Sequence, residues 1–113
     1  MSVSELLPET VPGNVERDTQ TVDIAEESTV FEVLASDTAR RIVAVLEETP
    51  RTASEVATEL GISVQNVCYH LDRFQEVGLI EAVGSRYSSK GKEMTVYALV
   101  TESLIVRFGD DGE

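Results

Sequence analysis

The sequence predicts a mainly α-helical domain closed by a β-hairpin, on the strength of three features. Thr52-Ala53-Ser54-Glu55 is a capping box, in which the threonine hydroxyl and the glutamate carboxylate satisfy free backbone amides at a helix start. Two helical stretches, 53–60 and 64–77, are closed by Gly61 and Gly78 and joined by Gly61-Ile62-Ser63, with Ser63 as the N-cap of the second. Two capped helices at that spacing make a helix-turn-helix. After Gly78 the apolar period changes. Leu79–Val83 and Met94–Val100 are rich in β-branched and apolar residues, and the polar stretch Ser85–Lys92 between them, with Gly91 as its turn residue, makes a hairpin.

In chain order, residues 1–27 form an acidic arm, expected to be disordered, because Pro8, Pro12 and Gly13 break it and no apolar period is sustained. Residues 28–100 are the folded domain. A helix begins near Ser28, with Val30, Phe31, Val33 and Leu34 at three- and four-residue spacings. Ser36-Asp37 interrupts it and caps a second helix, Thr38–Glu48, whose inner face is Ile42, Val43, Val45 and Leu46. Thr49-Pro50 ends that helix, since proline pushes its predecessor out of the α region. The two capped helices follow, and then the hairpin, whose tip is expected to be long, basic and flexible. Residues 101–113 hold a short apolar run, Leu104–Phe108, and an acidic tail; the run is a strand or one more helical turn, with strand preferred.

The 113 residues, 42% of them apolar, suffice for one core and not for two. One cysteine excludes a disulfide framework, and with a single histidine it leaves no metal-ligand set. No Ser/His/Asp set or glycine-rich phosphate loop is present, so no enzyme and no cofactor is expected. The best apolar run, Ile42–Leu46, is far short of a membrane span. The start, Met1-Ser2-Val3-Ser4-Glu5, has neither the basic nor the apolar region of a secretory signal. A soluble cytoplasmic domain is expected.

The net charge of −12 argues against a polyanionic partner until it is divided along the chain. Residues 1–35 carry −7, residues 36–100 only −2, and residues 101–113 carry −3. Within Ser63–Lys92 the balance is +1. The acid therefore sits mostly at the two ends. Lysine is confined to Lys90 and Lys92, and an acidic surface so poor in lysine resembles the cytosolic proteins of extreme halophiles.

Projected at about 100° per residue, helix 64–77 gathers Val64, Val67, Cys68, Leu71 and Phe74 on one side. Gln65, Asn66, Tyr69, Asp72, Arg73 and Glu76 fall on the other, with His70 at the boundary. A solvated helix face would carry mostly Glu and Lys. Here Gln65, Asn66, Tyr69 and Arg73 form a stripe from the N-terminus, and these types read major-groove edges: Gln or Asn to adenine, Arg to guanine, Tyr to a thymine methyl or phosphate. Double-stranded DNA is the expected partner. The candidate contacts on the helix are Ser63, Gln65, Asn66, Tyr69, His70 and Arg73. On the hairpin tip, 85–92, they are Arg86, Tyr87, Ser88, Lys90 and Lys92, reaching the flanking backbone or minor groove.

With these pieces assigned, Phe31–Leu99, about 60% of the chain, resembles the winged helix-turn-helix domain of arsenic-repressor-like (ArsR-type) regulators, particularly small archaeal members. The matching pieces are Leu34–Ile42, then Ala53–Ala57 with Leu60–Ser63, then Val67-Cys68-Tyr69-His70-Leu71 with Val77–Ile80. The resemblance implies a homodimeric transcriptional regulator on a (pseudo)palindromic operator, with helix 64–77 in the major groove and the wing on the flanks. Metal-sensing members place paired cysteines in the helix before the turn, or Asp and His ligands near the C-terminus. Neither set occurs here.

Cys68, often Ser in that family, is expected to be a small packing residue beside Val64 and Leu71. His70 is either a phosphate donor or a half-buried polar bridge to the neighbouring helix. Arg40, Arg41 and Arg51 either touch the DNA backbone or pair with surface acids. The helix near Val22–Leu34 and the run Leu104–Phe108 are the expected dimer interface. A winged-helix protein–protein adaptor, its acidic face on a basic partner, is the alternative function.

Overall fold

The computed structural model describes residues 11–26 and 29–109. In chain order they form β1 (Asp18–Asp23), α1 (Thr29–Val33), α2 (Asp37–Glu48), β2 (Arg51–Thr52), α3 (Ala53–Leu60), α4 (Val64–Glu76), β3 (Ile80–Tyr87), β4 (Glu93–Leu99) and β5 (Thr101–Arg107). This is a winged helix-turn-helix: a helical core and an antiparallel hairpin, β3–β4, to which β2 adds a third strand in the order β2-β4-β3.

The helix boundaries follow the capping chemistry. Ser36 caps α2, its hydroxyl accepting from the Ala39 amide at 3.0 Å. Thr49 ends it in extended geometry, φ −170° and ψ 155°, as its position before Pro50 requires. The capping box of α3 is complete: the Glu55 amide donates to Thr52 Oγ1 at 3.1 Å and the Thr52 amide to Glu55 Oε1 at 2.9 Å. Gly61 then takes φ +70°, the left-handed geometry that stops α3, and its amide donates to the Ala57 carbonyl at 2.8 Å. Phe74, Ile42, Leu46, Leu71, Ile80, Val56 and Val67 are among the largest fully buried side chains, so the core lies where α2, α3 and α4 meet the base of the hairpin.

Three expectations are corrected here. The acidic arm, expected to be disordered through residue 27, contains strand β1, which pairs in parallel with β5 from Asp18↔Thr101 to Asp23↔Arg107. Only Val22 of this strand is buried, so the local pattern is weak. Its order comes from partners far along the chain. Gln20 Nε2 donates to the Val77 carbonyl at 3.1 Å, and Thr101 Oγ1 lies 3.2 Å from Gln20 Oε1 and 3.1 Å from the Gly78 carbonyl. Residues 1–10, 27 and 110–113 of the two expected end segments, and residue 28 of the expected domain, lie outside the described residues.

Second, the stretch near Val22–Leu34 is not one helix with a free apolar face. Val22 is in β1, and Val30 and Val33 of the single-turn α1 are taken up by the protomer's own core at 1% and 3% exposure. The run Leu104–Phe108 is a strand through Arg107, with Leu104 and Val106 packed against the core while Ile105 and Phe108 face out.

Third, the hairpin tip is short and hydrogen-bonded. β3 continues to Tyr87, leaving Ser88–Lys92 as the turn. The Ser88 amide donates to the Lys92 carbonyl at 2.8 Å, the Gly91 amide to the Ser88 carbonyl at 2.9 Å, and Ser88 Oγ accepts from the Lys92 amide at 3.1 Å. Gly91 at φ +79° closes it.

Among the described residues no helix is long and apolar enough to cross a membrane. Nor do any three His, Cys, Asp or Glu side chains group as metal ligands would.

Candidate nucleic-acid interface

Helix α4 presents its polar side outward because Val67, Leu71 and Phe74 anchor the other side in the core. Ser63 caps it, accepting the Asn66 amide at 3.0 Å, so its oxygen is engaged while its hydroxyl hydrogen can still be donated. Gln65, Asn66 and Tyr69 are exposed, Tyr69 at 55%. Arg73, one turn beyond Tyr69, is half-buried. Its Nη1 donates to the Tyr69 hydroxyl at 2.8 Å and its guanidinium carbon stands 5.4 Å from the ring centroid. Tyr69 thereby holds the guanidinium in place on the exposed face.

His70 is half-buried, its ring 5.2 Å from that of Tyr69 and 6.2 Å from that of Phe74. Burial, followed by the charge of Arg73, pushes its pKa below the ordinary value of 6.5. A neutral His70 can still donate one N–H. The helix N-termini differ as well: α1, α2 and α3 carry Glu32, Asp37 and Glu55 in their first turns, whereas α4 carries no acid there. The positive end of its dipole is left uncompensated by its own side chains.

Two residues expected inside are outside. Cys68 is exposed and Val64 is 43% exposed. The inward face narrows to Val67, Leu71 and Phe74, and the flank bearing Val64 and Cys68 is left uncovered. Seven-residue spacing between Val67 and Phe74 marks the centre of that face in the sequence, but not its width.

On the wing, Lys90 and Lys92 are exposed at the tip, and Tyr87 and Ser88 are half-buried beside it. Arg86 does not project from the tip. It lies on β3, and its Nη1 contacts both carboxylate oxygens of Glu55 at 2.6 Å. Glu55 thus closes the α3 capping box and ties the wing to the helix-turn-helix, a second role that its place in the box conceals. Burial alone would raise the Glu55 pKa. Donation from the Thr52 amide and from Arg86, with the charges of Arg86 and Arg51, outweighs that and holds it below the usual 4.5.

A group lowered on folding stabilises the fold above its unfolded pKa, and that contribution is lost as pH falls through the folded value. Glu55→Gln keeps an acceptor for the Thr52 amide but removes the charge. Thermal melts between pH 7 and pH 3 are expected to show the variant less stable at neutral pH, with the gap closing below the ordinary carboxylate range. A gap constant across that range would remove Glu55 as its source.

Three further arginines, Arg17, Arg40 and Arg51, are engaged within the protein. Arg40 Nη1 donates to the Leu34 and Ala35 carbonyls at 2.8 Å each, closing the end of α1. Arg51 pairs with Glu59 and Glu48, and Arg17 reaches the Glu47 carbonyl at 2.8 Å.

Fold and site together define a winged helix-turn-helix domain, an architecture used by DNA-binding regulators. Residues 34–83, spanning the two capped helices and the start of β3, match the family model of the helix-turn-helix domain. Among solved structures, the chain is similar to an ArsR-like transcriptional regulator from Rhodococcus sp. RHA1, at 30% identity and a TM-score of 0.53, over 67% of this chain and 66% of that one. It is also similar to the homodimeric winged helix-turn-helix DNA-binding domain, fragment 1–100, of a possible ArsR-family regulator from Mycobacterium bovis. That match has 21% identity and a TM-score of 0.53, over 66% of this chain and 64% of that one. A crystal structure of the same fragment matches at the same identity and TM-score, over 66% and 74% of the two chains. The match thus spans just under two thirds of the first two structures' own chains. No curated protein matches the sequence.

Proposed function

We propose that this protein is a sequence-specific, DNA-binding transcriptional regulator that acts as a cytoplasmic homodimer on a (pseudo)palindromic operator. The reading is carried by the exposed face of α4, where Gln65, Asn66, Tyr69 and Arg73 stand together on the helix whose first turn has no acid. In this reading α4 enters the major groove with Ser63, Gln65 and Asn66 leading, and His70 donates to the backbone. Lys90 and Lys92 contact flanking phosphates from the wing, while Arg86 positions the wing through Glu55.

The dimer reading rests on the exposed apolar residues. Ile24, Ile105 and Phe108, at 43%, 50% and 82% exposure, lie on or just beyond the β1–β5 ribbon. The second copy is therefore assigned to the C-terminal strand, with α1 serving the protomer's own core. An acidic chain on DNA fits a solvent of concentrated salt, as in a halophile, where a Debye length of about 3 Å at 1 M screens the repulsion of the ends.

The experiment is selection of bound fragments from genomic DNA, followed by titration at several salt concentrations. A recovered site with two half-sites about one helical turn apart supports both DNA binding and the two-fold dimer. Lys90→Ala and Lys92→Ala are each expected to lower affinity about equally for all sequences and to reduce the slope of log K against log salt by about one. If no sequence is enriched at any salt concentration, the protein–protein adaptor replaces this reading.

A further inference from the structure

The large apolar residues that stay exposed among the described residues form two groups: Ile24, Ile105 and Phe108 by the ribbon, and Val64 with Tyr69 on α4. Tyr69 holds Arg73, whereas Val64 has no such task. It occupies the first turn of α4, directly after the Ser63 cap, with Cys68 exposed four residues on along the same flank. Residues four apart on a helix are surface neighbours, about 5–6 Å between Cβ atoms, so the two make a short apolar strip beside Gln65.

Neither residue contributes to the core cluster, which takes Val67, Leu71 and Phe74 from this helix. Water is a poor partner for such a strip at the leading end of a recognition helix. The chemical feature of the major groove that matches it is the thymine C5-methyl, the apolar group that a base pair displays there.

We infer that Val64, with Cys68 widening its surface, reads a thymine methyl in each half-site and is a specificity-determining residue. This rests on the DNA-binding reading above. Gln65 and Asn66 supply hydrogen-bond recognition on the neighbouring bases, and Val64 adds a requirement for thymine that no hydrogen bond imposes.

The test replaces thymine by uracil, one position at a time, in the selected operator. The exchange deletes only the methyl group. Burial of one methyl corresponds to about a fourfold affinity change, so uracil at the contacted position of one half-site is expected to weaken wild-type binding about fourfold. In Val64→Ala the thymine-to-uracil affinity ratio is expected to fall toward one, since the alanine methyl and Cys68 keep only part of the contact. Val64→Thr, which keeps the side-chain shape, is expected to show an intermediate ratio, and unchanged thermal melts of both variants would show the fold intact.

The inference is overturned if wild type is indifferent to every uracil substitution, or if Val64→Ala keeps the full wild-type ratio. Failure to enrich any operator would instead overturn DNA binding itself, and so is distinguishable from either result.

Discussion

Arg73→Ala is expected to weaken binding to the selected operator by about 1–3 kcal/mol and to relax base preference at one position of each half-site. The guanidinium sits on the exposed side of α4, its Nη1 on the Tyr69 hydroxyl at 2.8 Å and its plane by the tyrosine ring. A side chain held in this way loses less rotational freedom on binding than a free one, which favours the planar fork that a guanine edge accepts. The effect should thus be specific to one base pair, read from competition between operators differing there. A loss equal for every sequence would make Arg73 a phosphate contact. Because Arg73 is not in the core, thermal stability is expected to change little.

Phe74→Ala is expected to act on the fold. Its ring is fully buried at 0% exposure and lies at the centre of the cluster joining α4 to the rest of the domain. Truncating such a ring removes its burial and leaves a cavity, a cost of about 3–5 kcal/mol. A domain of this size has about 5–15 kcal/mol in total, so the variant should melt at least ~10 °C lower by circular dichroism. DNA binding should disappear along the same curve, since Arg73 and Tyr69 are placed by the helix that Phe74 anchors. A melting temperature within a few degrees of wild type would mean that the site collapses around the missing ring.

The helices were legible in the sequence because their ends carry their own chemistry. Ser36, Thr52 and Ser63 cap, Gly61 and Pro50 stop, and each acts within four residues of the boundary it sets. The outward placement of Gln65, Asn66 and Tyr69 on α4 was legible for the same reason, since helical periodicity sets it once the helix is known. What was not legible depends on distant partners. β2 has two residues and exists only because Arg51 and Thr52 lie opposite Tyr97 and Val96. β1 has one buried residue and depends on β5. Arg86 looked like a wing cation because its neighbours are polar and basic, and only the fold brings Glu55, 31 residues away, against it. Val64 and Cys68 looked internal because a helical wheel gives the direction of a side chain and not how far its neighbours reach.

The β1–β5 ribbon has a kinetic consequence. Its contacts span almost the whole domain, with 81 residues separating Gln20 from Thr101. Closing so long a loop costs entropy that neither strand recovers alone, and both strands dock against α4's end and the Gly78 turn. The ribbon is therefore expected to assemble last and to open first, which amide exchange in β1 and β5 ahead of α4 would show. If a second copy binds the ribbon as proposed, its docking face is complete only once the recognition helix is in place, and dimer assembly would then select chains that have already finished folding.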